Sequence, residues 1–354
     1  MTVTAPGVRG ERRRVYTALP EGGAAVPVNR LRRNVCGAVA GLLLPSATLP
    51  ALAQTFPIPG RPIRIVVGFA AGGGTDIQAR LVAPRLAEAL GAPVVVENRP
   101  GASTMIAAQE VAQAAPDGHT LLYTFSGTFT QNPHLFANVP YALRDFTPIS
   151  LGALGPLVLV AHVGVPARDV AELVAWAKAK ASPIDVASFG TGTSSHVFAE
   201  LFARQAGIAV THVPYKGGGD AAKDLIAGRV QLMFDAAPSA LQHARNGHVR
   251  ILAVVAETRS PFLPDVPTLR ELGYRDLDIV GGVGFFGPAR LPAPIVARLN
   301  AALVKALASS GVRDGFANGA YEAVSSSPEA LDDLMKRGHQ RWGRIVRELG
   351  MKPM

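Results

Sequence analysis

From Arg61 onward, apolar β-branched runs alternate with amphipathic stretches: Ile63 to Val67, Ile77 to Leu90, Pro93 to Glu97, Thr104 to Ala115 and Thr120 to Thr124. A strand period that gives way repeatedly to a helix period predicts parallel strands with helices on both faces, so the chain is α/β. Val170, Leu173, Val174 and Ala177 fall at helical spacing, as do Phe198, Leu201 and Phe202 ahead of Gly207, a C′ stop. Ser327, Pro328 and Glu329 read as a helix start, followed by one stripe of Leu331, Leu334, Met335, Trp342, Ile345 and Leu349. Pro84 lies mid-helix and predicts a kink. Arg99 to Ala102 reads as a type II turn, with Pro then Gly at its centre. No repeat or low-complexity linker divides the chain. Two strands, one ending at Val160 and one over Ile279 to Phe286, are the candidates for crossing between two lobes, the glycines of the second suiting a hinge.

A chain of 354 residues accommodates two domains, or one plus an extension, and 48% hydrophobic against 17% charged residues is a globular balance. The net charge of +9 sits mostly at the start, where residues 1–53 hold seven Arg against two Glu. No later stretch concentrates Lys and Arg with interleaved aromatics, which excludes a nucleic-acid partner. Arg30, Arg32 and Arg33 precede the apolar run Val35 to Leu44, and Ala51, Leu52 and Ala53 form a small-x-small cleavage pattern. Residues 1–53 are therefore expected to be an export signal cleaved after Ala53. The apolar run is too short to span a membrane, which needs about 20 residues. Residues 1–29 are long for a basic region, which favours a start further downstream over a twin-arginine route. Cys36, the only cysteine, falls inside the signal, so disulfides, thiolate metal sites and Cys nucleophiles drop out together. No cofactor or metal site is expected.

The stretch Val66 to Arg80 places a glycine loop between a strand and a helix. Gly68, Gly73 and Thr75 stand at P-loop spacing, but Gly74 occupies the place of the phosphate-binding Lys. A dinucleotide fingerprint fails as well, because Ile77 follows where a third small residue belongs. What survives is a helix start, capped by Thr75 or Asp76, that binds an anion through unpaired amides. Phe189 to His196 repeats the arrangement, and Tyr123 to Thr128 and Val213 to Asp220 add two more glycine and hydroxyl loops. Any one of the four can be a mere turn. Together they point to an anion cleft. No GxSxG or HExxH occurs, and His196, although it follows Ser194 and Ser195, is read as a capping or pocket-lining residue ahead of a catalytic base.

The segments ending at Asp76, Val94 to Ala102 (VVVENRPGA), Asn132 to Leu135, His212 to Gly218 (HVPYKGG) and Val230 to Asp235 resemble the periplasmic solute-binding receptors of tripartite tricarboxylate transporters, the Bug-type family. The resemblance runs from about Pro62 to the C-terminus. It implies a two-lobed Venus-flytrap fold of type II kind with two interlobe crossings. Lobe 1 would comprise residues 54–156 with 284–354, and lobe 2 residues 157–283. It also implies a small organic anion, whether a di- or tricarboxylate, an aromatic carboxylate or an acidic amino acid, delivered to integral-membrane transporter subunits by a monomeric periplasmic receptor that is no enzyme. Residues carried over as ligand-binding are Gly72, Gly73, Gly74, Thr75 and Asp76 on one side. On the other stand Gly190, Thr191, Gly192, Thr193 and Ser194, with Ser126, Tyr215, Lys216 and Asp235 framing the pocket. The chain departs from the family pattern at Gly68 and Ala71, where Pro is common, and at Pro84. Two other readings remain open here: a receptor serving signalling, and a periplasmic enzyme with His196 as base.

Overall fold

The computed structural model describes residues 56–215, 217–278 and 281–353. The expected export signal over residues 1–53 with its Cys36, the site candidate Lys216, and Ile279 and Val280 of the expected return crossing lie outside the described residues.

The chain runs through β1 (Ile63–Val67), α1 (Gly74–Leu90), β2 (Val94–Asn98), α2 (Met105–Ala112) and β3 (Thr120–Phe125). Two single-turn helices, α3 (Gly127–Thr130) and α4 (Asn132–Leu135), then lead to β4 (Phe146–Gly155). After Pro156 come β5 (Leu157–His162), α5 (Val170–Ala179), β6 (Ile184–Ser188), α6 (Ser194–Ala206), β7 (Val210–Pro214) and α7 (Gly218–Ile226). They are followed by β8 (Leu232–Ala236), α8 (Ala237–Arg245), β9 (Val249–Val254) and β10 (Gly281–Pro288). The chain closes with α9 (Ala293–Leu307), α10 (Ser310–Asn318), β11 (Glu322–Ala323) and α11 (Pro328–Glu348).

Two sheets result, ordered β11-β4-β10-β3-β1-β2 and β7-β6-β8-β5-β9. Each is mixed where all-parallel strands were expected. β1 pairs in parallel with β2 and β3, and β6 with β7 and β8, whereas β10 and β5 run antiparallel to their neighbours. The connections explain it: β5 follows β4 across Pro156 alone, so it enters its sheet directly and not through a crossover helix, which parallel pairing demands.

Register brings the strand ends level. Val67 pairs with both Asn98 and Tyr123, and Ser188 with Pro214, so the loops that follow these strands open on the carboxyl edge of each parallel half. That edge is where open α/β sheets place ligands.

Each sheet is covered on both faces by apolar clusters. α1 and α9 bury Val82, Leu86, Leu299 and Leu303 with Ile65 and Phe285 of the first sheet, and α6 buries Phe198 and Phe202 with Phe234 of the second. α11 serves both. Its Leu331 and Met335 pack with Phe129 and Phe286, while Trp342, Ile345 and Val346 join the cluster of Phe198 and Phe202. The Ser327 hydroxyl accepts from the Ala330 N–H at 3.1 Å, the cap the sequence predicts, and Gly207 ends α6 at φ 63°. α1 continues through Pro84, which is exposed, so the carbonyl it leaves unpaired can face water.

Candidate functional site

The first glycine loop is built from its backbone outward. Gly72 takes φ 81°, a conformation costly for any residue with a Cβ, and turns the chain so that Gly73 becomes the N-cap of α1. The expected Thr75 or Asp76 cap is not what forms. Instead the Asp76 carboxylate reaches back past the cap and accepts the Gly72 N–H at 2.8 Å. Arg80 donates Nε to both of its oxygens at 3.0 Å, and Asn98 Nδ2 donates to Oδ1 at 2.9 Å and to the Phe69 carbonyl at 3.0 Å. The Arg80 guanidinium holds the Asp76 carboxyl at about 2, below its ordinary value, although burial opposes the shift. Asp76 is thus an ionised, buried clip for the loop. Gly73 N–H is turned inward as well, to the Ala70 carbonyl at 3.3 Å. The N–H groups of Gly74 and Thr75, at the first positions of α1, have no partner among the described residues.

The second loop repeats two of these backbone bonds, one spanning four residues and one spanning three, and adds a side-chain cap: Thr193 Oγ1 accepts the His196 N–H at 3.5 Å. Gly192 takes φ 77°, and its N–H donates to His196 Nδ1 at 3.1 Å, as Gly72 does to Asp76. Thr193 is the N-cap of α6 and its N–H turns to the Gly190 carbonyl at 3.2 Å, as Gly73 does to Ala70. The N–H groups of Ser194 and Ser195 are left without partners among the described residues, in the places of Gly74 and Thr75. His196 stacks on His212 with ring centroids 3.7 Å apart, and His212 Nε2 lies 2.6 Å from Ser188 Oγ. Burial, aided by the His196 ring, pushes His212 down to about 4, so it is neutral near pH 7.

Between the loops lies a cleft of about 610 Å³, within the usual range for a small-molecule site. Its floor on the first-sheet side is the segment after β2, which departs from the expected type II turn. Gly101 sits at φ 129° and ψ 160°, and Ala102, Ser103 and Thr104 follow at φ 44°, 52° and 74°. A left-handed run of this kind costs energy at every residue and is held from outside. Asn132 Nδ2 donates to the Ser103 carbonyl at 2.8 Å, and the Thr104 hydroxyl lies 2.7 Å from that of Thr128. The departure at Gly68 belongs to the same device, since a Cβ there would stand 2.8 Å from Thr104 Cβ.

Of the residues expected to bind, Thr75, Gly192, Thr193 and Ser194 line the cleft. Gly72, Gly73 and Gly74 shape the loop behind Thr75, and Asp76, outside the lining, clips it. Gly190 and the exposed Thr191 lie outside the lining. Ser126 is flanked by two lining residues, Phe125 and Gly127, and spends its N–H on the Gly282 carbonyl at 2.7 Å. Tyr215 is committed elsewhere, its hydroxyl donating to Asp224 at 2.7 Å, with burial and that carboxylate pushing it up to about 12. Asp235 is buried behind the lining, accepts the Ala236 N–H at 2.8 Å, and is pushed by desolvation up to about 6.

Sequence reasoning missed Gln78, Asn132 and Tyr321, all lining, and the rings of Phe69, Phe125 and Phe189. Gln78 carries a legible signal, a polar residue on the buried stripe of α1, while Tyr321 arrives from far along the chain with none. No Lys, Arg, His, Asp or Glu lines the cleft among the described residues. Among the described residues no group of three His, Cys, Asp or Glu is placed to hold a metal.

A family model described as the tripartite tricarboxylate transporter family receptor matches residues 78–351. Protein BugT of Bordetella pertussis is 35% identical over 317 residues, covering 89% of this chain and 97% of its own. MatC from Rhodopseudomonas palustris, solved with bound malate, has 35% identity and a TM-score of 0.71 over 82% of this chain and 100% of its own. An R. palustris protein solved with adipate has 31% identity and a TM-score of 0.75 over 84% of this chain and 99% of its own.

Proposed function

The chain belongs to the tripartite tricarboxylate transporter family of receptors, and from that premise we propose that it captures a small carboxylated metabolite between two lobes. It would deliver that metabolite to the membrane subunits of such a transporter, acting as a periplasmic monomer. The observation that carries the reading is the matched pair of helix starts. Two loops on different sheets take the same turn and leave the same two amides unpaired, and both line one cleft with no charged side chain of its own among the described residues. Uncharged amide donors suit a carboxylate, because each bond to an ionised group contributes about 1.5–3 kcal/mol. Four such bonds contribute about 6–12 kcal/mol, which brackets the roughly 8 kcal/mol of micromolar binding before ordering costs are subtracted.

Ligand contacts from both walls favour the shut state over the open one, which is the mechanism of capture. We place lobe 1 at residues 54–156 with 284–354 and lobe 2 at 157–283, supported by the change of sheet at Pro156 and by the return to the first sheet in β10, which begins at Gly281, three residues ahead of that boundary. The family is made of solute-binding receptors, and the residues of the enzyme reading are spoken for. His196 Nδ1 accepts from Gly192 and its Nε2 faces Glu200 at 3.7 Å, and the Ser195 hydroxyl donates to the Phe234 carbonyl at 2.7 Å, which argues against Ser195 as a nucleophile activated by that base. A signalling receptor would use the same cleft and differs in its partner.

The test is a thermal-shift panel of dicarboxylates, aromatic carboxylates and acidic amino acids on the mature protein. Ligand at about a hundred times its Kd adds about 2.7 kcal/mol of stability, so at least one compound is expected to raise Tm by several degrees. A panel in which no compound moves Tm would sink the proposal.

A further inference from the structure

We propose that Gln78 is a specificity-determining residue, whose side-chain amide donates to an oxygen of the ligand remote from the carboxylate held by a helix start. The inference rests on the receptor reading above and adds what kind of body the carboxylate carries. Gln78 is 2% exposed and lines the cleft, yet its Nε2 has no hydrogen-bond partner among the described residues. Its other end is fixed. Tyr123, wholly buried and stacked on Phe285 at 4.3 Å, donates its hydroxyl to Gln78 Oε1 at 2.9 Å. Turned over, the amide would donate to the Tyr123 oxygen and leave the phenolic proton without an acceptor, so the arrangement that satisfies Tyr123 leaves Nε2 to the ligand.

An unpaired donor is costly to keep in a core, and proteins pair nearly all of them. Nε2 is itself covered in this structure, so the partner assigned to it arrives from the cleft as the ligand displaces that cover. Gln78 stands three residues after Thr75, so both occupy one face of α1, with Gln78 about one turn deeper into the first lobe. A ligand that meets the start of α6 with its carboxylate and bridges to this wall offers its second oxygen first to Thr75 and then to Gln78. The rings of Phe69, Phe125 and Phe189 border the same space and suit an apolar spacer. The recognised class is a carboxylate with an apolar middle and a second oxygen acceptor, either a ketone or another carboxylate.

Binding constants for levulinate against pentanoate and adipate against hexanoate, in wild type and in Gln78→Met, separate the possibilities. In wild type the oxygen-bearing member of at least one pair is expected to bind about tenfold or more tightly, and the pair that shows it tells a ketone from a carboxylate. In Gln78→Met that preference should fall to within about twofold through loss on the oxygenated member alone. Tyr123→Phe, which frees the amide to rotate, should give an intermediate preference. A wild-type preference kept in Gln78→Met, an equal loss on both members, or no preference in wild type overturns the role of Gln78 while leaving the receptor reading intact. A wild type that binds none of the four, nor any compound of the wider panel, overturns both.

Discussion

Replacing Asp76 with Ala removes one carboxylate and with it the partners of three groups. The Gly72 N–H at 2.8 Å and Asn98 Nδ2 at 2.9 Å lose a charged acceptor in a site where the Asp76 side chain is 3% exposed. Each such loss costs about 1–2 kcal/mol. Arg80 is half-exposed and returns to water, so its loss adds little. The sum is about 2–4 kcal/mol, or about 3–6 °C in Tm for a chain of this size. The charge sets the pH range. Because Arg80 depresses the folded-state value from 3.8 to about 2, the contribution is complete above the unfolded value and disappears as pH falls through about 2. Urea denaturation of wild type and Asp76→Ala at pH 7, 4 and 2 measures it. The gap should be full at pH 7 and largely closed at pH 2. A variant as stable as wild type at pH 7, or a gap unchanged at pH 2, would refute the assignment of Asp76 as an ionised clip.

Asp235 should behave with the opposite sign. Desolvation raises it from 3.8 to about 6, so the folded state loses stability as pH climbs through that interval, and Asp235→Asn should gain on wild type by about 2–3 kcal/mol between pH 4 and 7 in denaturant melts. A gain that does not vary with pH contradicts it. Gly72→Ala and Gly192→Ala force a Cβ into φ near +80° and should each cost about 1–2 kcal/mol and weaken carboxylate binding in the thermal-shift assay, whereas Gly73→Ala, at φ −76° with its Cβ 3.3 Å from the Ala70 carbonyl, should cost less and leave binding closer to wild type. Equal behaviour at all three positions would mean that the turn is not the determinant. Gly68→Ala should displace Thr104 from its place beside Thr128, destabilise by about 1–3 kcal/mol and loosen the left-handed turn, read as faster amide exchange at residues 102–104. Unchanged exchange there would contradict the packing argument.

Much of this architecture is legible in the sequence because it is local. The alternation of periods gives the βα units, Gly207 and Ser327 end and start helices where sequence rules place them, and the two glycine loops announce themselves by composition. Strand direction is not local. β5 and β10 run antiparallel because of where the chain enters each sheet, and no hydrophobic period encodes that. The role of Asp76 inverted for a related reason: a carboxylate in the first turn of a helix reads as a cap, and only the approach of Asn98 from β2 shows it clipping the loop. Ala102, Ser103 and Thr104 carry no glycine to advertise positive φ, since the strain is held by Asn132 and Thr128 from another part of the chain. Gln78 stands between these cases, its polarity visible on an apolar stripe but its purpose visible only once Tyr123 is seen to hold one end.

A crystal structure of the mature protein with the strongest compound of the thermal-shift panel measures directly where the acid group of a bound ligand sits. Carboxylate oxygens within about 3 Å of the N–H groups of Gly74 and Thr75, or of Ser194 and Ser195, are the predicted result. A carboxylate paired instead with a charged side chain away from both helix starts would contradict it.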